Sequence, residues 1–144
     1  MTATLDKESI GNVYNDITAG QRSLDWFLLG YPPNSHNRII LLDKSDGGLI
    51  ELKRRLNENM VAFGYLKVMD KNQEYPQLNP DYVHLTFIGK AVKPQERARA
   101  VIHRLDIHQE FPRFLIEFEC NGLEEVNEKR MLEEIQEMKE SLAD

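Results

Sequence analysis

Short apolar segments alternate with helical stripes along the chain, and this order is the feature that most restricts its fold. The first stripe places Ile10, Val13, Tyr14 and Ile17 at helical spacing. The predicted strands cover residues 24–31, 38–42, 60–68, 82–88 and 114–118, and the predicted helices begin near residues 5, 49, 94 and 123 or 127. Two pairs of neighbouring strands can form hairpins. We therefore expect an α/β (α+β) fold, with a central mixed, mainly antiparallel sheet of five or six strands flanked by helices on both faces.

The length and composition are those of one globular domain. The 144 residues are 41% hydrophobic and 29% charged, as is usual for a chain with a single core. We expect one domain over residues 1–144, with a core over about residues 5–132 and an acidic helix that continues to residue 144. No apolar run approaches the ~20 residues of a membrane span, and the amino terminus does not resemble a signal peptide. We therefore expect a cytoplasmic protein, and we expect it to be a monomer.

The sequence offers little that could support catalysis or a cofactor. Gly47 and Gly48 lack the further residues of a phosphate-binding loop. Cys120 is surrounded by carboxylates, which raise the pKa of a thiol, and we expect it to be a buried, inert side chain. The histidines are not spaced as metal ligands, and we expect them at surface or half-buried positions: His36, His84, His103 and His108. We predict no enzyme, no metal site and no cofactor.

Charge is distributed very unevenly along the chain. Residues 117–144 contain ten acidic and three basic residues, a charge of −7, which leaves +1 for residues 1–116 within the total of −6. The segment 90–104 carries +4, from Lys90, Lys93, Arg97, Arg99 and Arg104 against one glutamate. Such a segment is either a solvated helix face or a docking helix for an acidic protein partner. We do not expect nucleic acid as a partner.

Four segments together resemble the actin-depolymerising-factor homology family, most of all its coactosin and drebrin-type branch. They are DWFLLGY at residues 25–31, DGGLIEL at 46–52, VAFGYLKV at 61–68 and IGKAVKPQERAR at 88–99. The matches follow one another from about residue 5 to residue 132 and agree with the predicted order of elements.

The resemblance implies an actin-binding protein without catalytic activity, active in the cytoskeleton. In the family, the long third helix and the turn before the last helix dock in a cleft between two actin subdomains. By this resemblance together with the local charge, the predicted docking residues are Lys90, Lys93, Arg97, Arg99, Arg104, Leu123, Glu124 and Glu125. The resemblance further implies that the protein regulates actin filament dynamics.

One departure from the family pattern leaves the partner open. Filament-binding members carry basic residues just before the fourth predicted strand, where this chain has Leu78, Asn79, Pro80 and Asp81. Two alternatives to a coactosin-like filament binder therefore remain. One is a binder of the actin-related branch-nucleating complex, as glia maturation factors are. The other is a scaffold of the same fold that has lost filament binding.

Overall fold

The computed structural model describes residues 3–20, 24–69 and 79–143, and within them a six-stranded mixed sheet. The strands are β1 (Thr4–Leu5), β2 (Trp26–Gly30), β3 (Arg38–Ser45), β4 (Val61–Val68), β5 (Asp81–Ile88) and β6 (Ile116–Asn121). The helices are α1 (Lys7–Thr18), α2 (Gly48–Lys53), α3 (Pro94–Glu110) and α4 (Glu128–Ala143). A 3₁₀ turn, Leu123–Glu125, connects β6 to α4 and is called the β6–α4 turn below.

The strands lie in the order β1-β3-β2-β4-β5-β6. The three central pairings are antiparallel, whereas β1 pairs with β3 and β6 pairs with β5 in parallel. The mixed, mainly antiparallel sheet expected from the two hairpins is therefore confirmed. Among the helices described, none is long and apolar enough to cross a membrane.

Each face of the sheet carries its own core, because successive strand residues point to opposite faces. Trp26 and Leu28 of β2 pack on the side covered by α2 and α4, whereas Phe27 and Leu29 pack on the side of α1 and α3. A strand covered on both faces must be apolar throughout, and all five residues of β2 are buried. The expectation of helices on both faces is confirmed.

Two strands differ from the prediction for local reasons. β3 extends to Ser45 because a bulge places Leu28 opposite Asp43 and Leu29 opposite Leu41, which interrupts the alternation at Leu42. β6 begins and ends later than predicted because it is covered on one face only, so that its outward residues are polar. β1 escaped prediction altogether, since two residues cannot display a strand period.

Candidate functional site

The site that the charge pattern indicated is built on α3. Lys93 has extended backbone (φ −67, ψ 151), as favoured before a proline, and Pro94 occupies the first turn of the helix. Ala100, His103 and Ile107 face the core. The opposite side of α3 is therefore presented to solvent, together with the neighbouring β6–α4 turn.

The five basic residues divide into two groups by their partners. Lys90 Nζ lies 2.5 Å from Glu124 Oε1, and Arg104 forms an ion pair with Glu119. Among the described residues, no acidic side chain pairs with the other three, which are Lys93, Arg97 and Arg99; Arg97 Nη1 donates a hydrogen bond of 2.8 Å to the Asn121 amide oxygen. The positive charge of Lys93, Arg97 and Arg99 is thus not neutralised by an ion pair within the described chain.

The ion pair between Lys90 and Glu124 joins the two elements that the resemblance implicates. The hydrogen bond from Lys90 lowers the pKa of Glu124 and the same contact raises the pKa of Lys90. Both side chains are more than half exposed, so the pair adds little to stability. Its effect is to fix the position of two charges at the surface.

Three apolar side chains lie on the exposed side of α3, and their exposure was not predicted from the sequence. Val101, Ile102 and Leu105 are 42%, 48% and 53% exposed, whereas His103 is completely buried on the other side. This is the reverse of ordinary amphipathic order, in which histidine faces solvent. Helical periodicity could have identified them in the sequence. Ala100, His103 and Ile107 form one stripe along the helix, and Ile102 and Leu105 lie outside this stripe.

The β6–α4 turn is held from inside by Arg130. Its Nη1 donates to the Glu125 carbonyl oxygen at 2.9 Å and its Nη2 donates to the Glu119 carbonyl oxygen at 2.8 Å. The Glu125 carboxylate accepts the Asn121 backbone N–H at 3.0 Å. Of the three predicted turn residues, Glu124 is exposed, whereas Leu123 and Glu125 are half-buried.

Three histidines, two on α3 and one on β5, are buried, which corrects the expectation of surface or half-buried positions. His84, His103 and His108 are buried, and only His36 is exposed. His84 Nε2 donates to the Phe111 carbonyl oxygen at 2.7 Å, and His103 Nδ1 lies 2.6 Å from the Tyr31 hydroxyl, whereas His103 Nε2 has no hydrogen-bond partner among the described residues. Aromatic neighbours, which pack as well against imidazole as against another ring, make the burial possible.

A cysteine and a small polar cleft lie close to α3. Cys120 is buried, as expected, and burial raises the pKa of its thiol to about 12, so thiolate is scarce at neutral pH. A cleft of about 230 Å³ between α3 and β6 is lined in part by Arg97, Arg104, Glu119 and Asn121. Arg97 donates a hydrogen bond to Asn121, and Arg104 forms an ion pair with Glu119. Within residues 3–20, 24–69 and 79–143, no group of three or more His, Cys, Asp or Glu could hold a metal ion.

Comparison with known proteins places this fold in a family. The model of the cofilin/tropomyosin-type actin-binding protein family matches residues 2–136. The chain therefore belongs to this family. The likenesses within it are to coactosins and drebrin-like proteins.

Coactosin of Dictyostelium discoideum is 23% identical over 134 residues, which are 92% of this chain and 89% of that protein. Drebrin-like protein A of Xenopus laevis is 30% identical over 105 residues, 72% of this chain but only 22% of that longer protein. The crystal structure of coactosin from Entamoeba histolytica has a TM-score of 0.82 at 22% identity and covers 96% of this chain and 97% of that one. The predicted fold is thus confirmed.

Proposed function

We propose that this protein binds actin in the cytoplasm through the exposed side of α3 and the β6–α4 turn, and that it thereby regulates filament dynamics. The observation that carries the proposal is the composition of that side. Ile102 and Leu105 stand exposed on a helix that also carries Arg97 and Arg99, neither of which has an acidic partner in the described chain. An apolar centre with cations around it suits an apolar cleft with acidic rims.

The predicted docking residues can be ranked by whether each already forms an ion pair within the described chain. Lys93, Arg97 and Arg99 can pair with carboxylates of a partner without losing an ion pair of their own. Lys90 and Arg104 would have to exchange an existing partner, Glu124 or Glu119, for a new one. Because an exchange of ion pairs gains less than a new ion pair, we propose that Arg97 and Arg99 contribute more to affinity than Lys90 and Arg104.

The residues at the start of β5 bear on the choice between the two predicted partners, the actin filament and the branch-nucleating complex. Leu78 lies outside the described residues, but Asn79, Pro80 and Asp81 are described and include no cation, and Lys139 Nζ of α4 lies 2.7 Å from Asp81 Oδ2. Residues 79–81 therefore supply no cation for a second, filament-side contact. This observation keeps the branch-nucleating complex as the second candidate partner, and capture of that complex without actin would favour it.

Removing the two unpaired arginines tests the proposed site. We expect the double variant Arg97→Ala/Arg99→Ala to bind actin roughly 10- to 50-fold more weakly, about 1.4–2.3 kcal/mol. Co-sedimentation with filaments and a titration of monomeric actin measure the loss. Arg54→Ala is the matched control, since Arg54 is an exposed arginine directly after α2, at the opposite face of the sheet. Equal affinity of the double variant and the wild type would contradict the assignment.

A further inference from the structure

Glu58, in the loop between α2 and β4, lies against the segment that leads into α3. Its backbone carbonyl oxygen accepts the Ala91 N–H at 2.8 Å. At Gly89 a Cβ atom would lie only 2.2 Å from that same carbonyl oxygen, so only glycine fits. The loop and the segment before α3 are therefore packed against each other without space for adjustment.

The carboxylate of Glu58 reaches both docking elements at once. Its Oε1 accepts the Lys90 N–H at 3.2 Å, and its Oε2 accepts the Leu123 N–H at 3.3 Å. These two N–H groups belong to the segment before α3 and to the β6–α4 turn. Glu58 thus forms a bridge between two elements that are distant in the sequence.

The Lys90 side chain reinforces the bridge from outside. Its stem passes so close over Gly122 that a Cβ atom there would lie 2.8 Å from Lys90 Cε, and its amino group ends at Glu124. The turn does not depend on this bridge for its own shape, since Arg130 and the Glu125–Asn121 hydrogen bond hold it from the other side. Loss of the Glu58 carboxylate would therefore leave the turn folded but connected to the segment before α3 through the exposed Lys90–Glu124 pair in place of the two backbone hydrogen bonds.

We propose that Glu58 is a positioning residue for partner binding, which sets the spacing between the start of α3 and the β6–α4 turn. The inference rests on the proposed function, because it concerns the same surface. Two contact elements that enter one cleft must keep their mutual position to within a fraction of an ångström. A carboxylate that accepts one N–H from each element supplies this constraint, and its charge strengthens both hydrogen bonds.

Three variants test the proposal. Glu58→Ala removes both acceptors, and we expect actin binding to weaken about 5- to 20-fold. Glu58→Gln replaces one of the two carboxylate oxygens with an NH₂ group, which donates and cannot accept, so one of the two N–H groups loses its acceptor and we expect an intermediate loss. Asn57→Ala is the control, because Asn57 is an exposed neighbour in the same loop whose side chain accepts the Asn59 N–H and contacts neither docking element in the described hydrogen bonds.

Two further measurements separate positioning from a general loss of stability. Amide hydrogen exchange should become faster at Leu123 and Lys90 in Glu58→Ala, while the midpoint of thermal unfolding changes by no more than about 3 °C. In a double-mutant cycle, Glu58→Ala should weaken binding less in a Leu123→Ala background than in the wild type. A merely structural role would lower the unfolding midpoint and leave the two binding effects additive.

The outcomes distinguish this inference from the proposed function. If the wild type binds actin and Glu58→Ala binds equally well, or if its loss is fully additive with Leu123→Ala, the role of Glu58 is wrong and the proposed function stands. If the wild type does not bind actin, the proposed function is overturned and the positioning role falls with it.

Discussion

The double variant Ile102→Asp/Leu105→Asp should lose actin binding by at least about 100-fold, the largest effect on binding that we expect. Both side chains are about half exposed on α3. In the proposed complex they are buried, and each aspartate would then place an unpaired charge in an apolar contact, which is strongly unfavourable. The unfolding free energy should change by less than about 1 kcal/mol, because neither side chain belongs to the core.

The control for this variant is an equally exposed isoleucine elsewhere. Ile50 on α2 is 59% exposed, and α2 covers the face of the sheet that α3 does not. Ile50→Asp should bind actin as the wild type does. If the double variant binds with wild-type affinity in co-sedimentation and monomer titrations, the apolar residues of α3 lie outside the interface and the proposed surface is wrong.

Acid should destabilise the fold through the buried histidines. Burial lowers the pKa of His84 from 6.5 to about 4, against the opposing effect of its hydrogen bond to the Phe111 carbonyl oxygen. Burial also lowers the pKa of His103 and of His108, even though His108 Nδ1 lies 2.7 Å from Glu117. All three histidines resist protonation in the folded state.

The direction of the pH effect on stability follows from the pH range in which the folded and the unfolded chain each bind a proton at His84. Between pH 6.5 and about 4 the unfolded chain protonates His84 and the folded chain does not. Stability is therefore full above pH 6.5 and falls as the pH decreases below it. From His84 alone we expect a loss of about 3 kcal/mol across this interval.

Urea unfolding at pH 7.5, 6.5, 5.5 and 4.5, followed by the fluorescence of the buried Trp26, measures the effect. In His84→Gln the stability should fall less steeply with decreasing pH, by about 1.4 kcal/mol per pH unit. His36→Gln is the control, since His36 is exposed, and it should keep the wild-type slope. Equal slopes in all three proteins would show that His84 titrates normally in the folded state.

The sequence predicted those parts of the fold in which one periodicity is sustained. The stripe of α1 and the apolar runs of β2 and β4 were long enough to define helix and strands. β1 could not be found, because its two residues are held by pairing with β3 and by packing against the core, and the preceding Ala3 N–H donates to Asp106. These are tertiary contacts that no local pattern contains.

The candidate site was predicted in its charges but not in its apolar residues. Counting residues located the cations of α3, because charge can be summed without knowing which side of a helix faces the core. The exposure of Ile102 and Leu105 could not be counted in this way, since it depends on His103 and His108 occupying the interior. Likewise, nothing in the order of residues indicated that the Glu58 carboxylate would join Lys90 to Leu123.

Binding of the wild-type protein to actin, measured by co-sedimentation with filaments and by titration of the monomer, tests the central proposal most directly. Repeating the measurement from about 50 to 300 mM salt reports how much the cationic side chains contribute to the affinity for actin, because salt screens exposed charges. We predict binding that weakens several-fold as salt rises but persists at the highest concentration, since Ile102 and Leu105 remain in contact. Absence of binding to both forms of actin at the lowest salt concentration would contradict the proposed function.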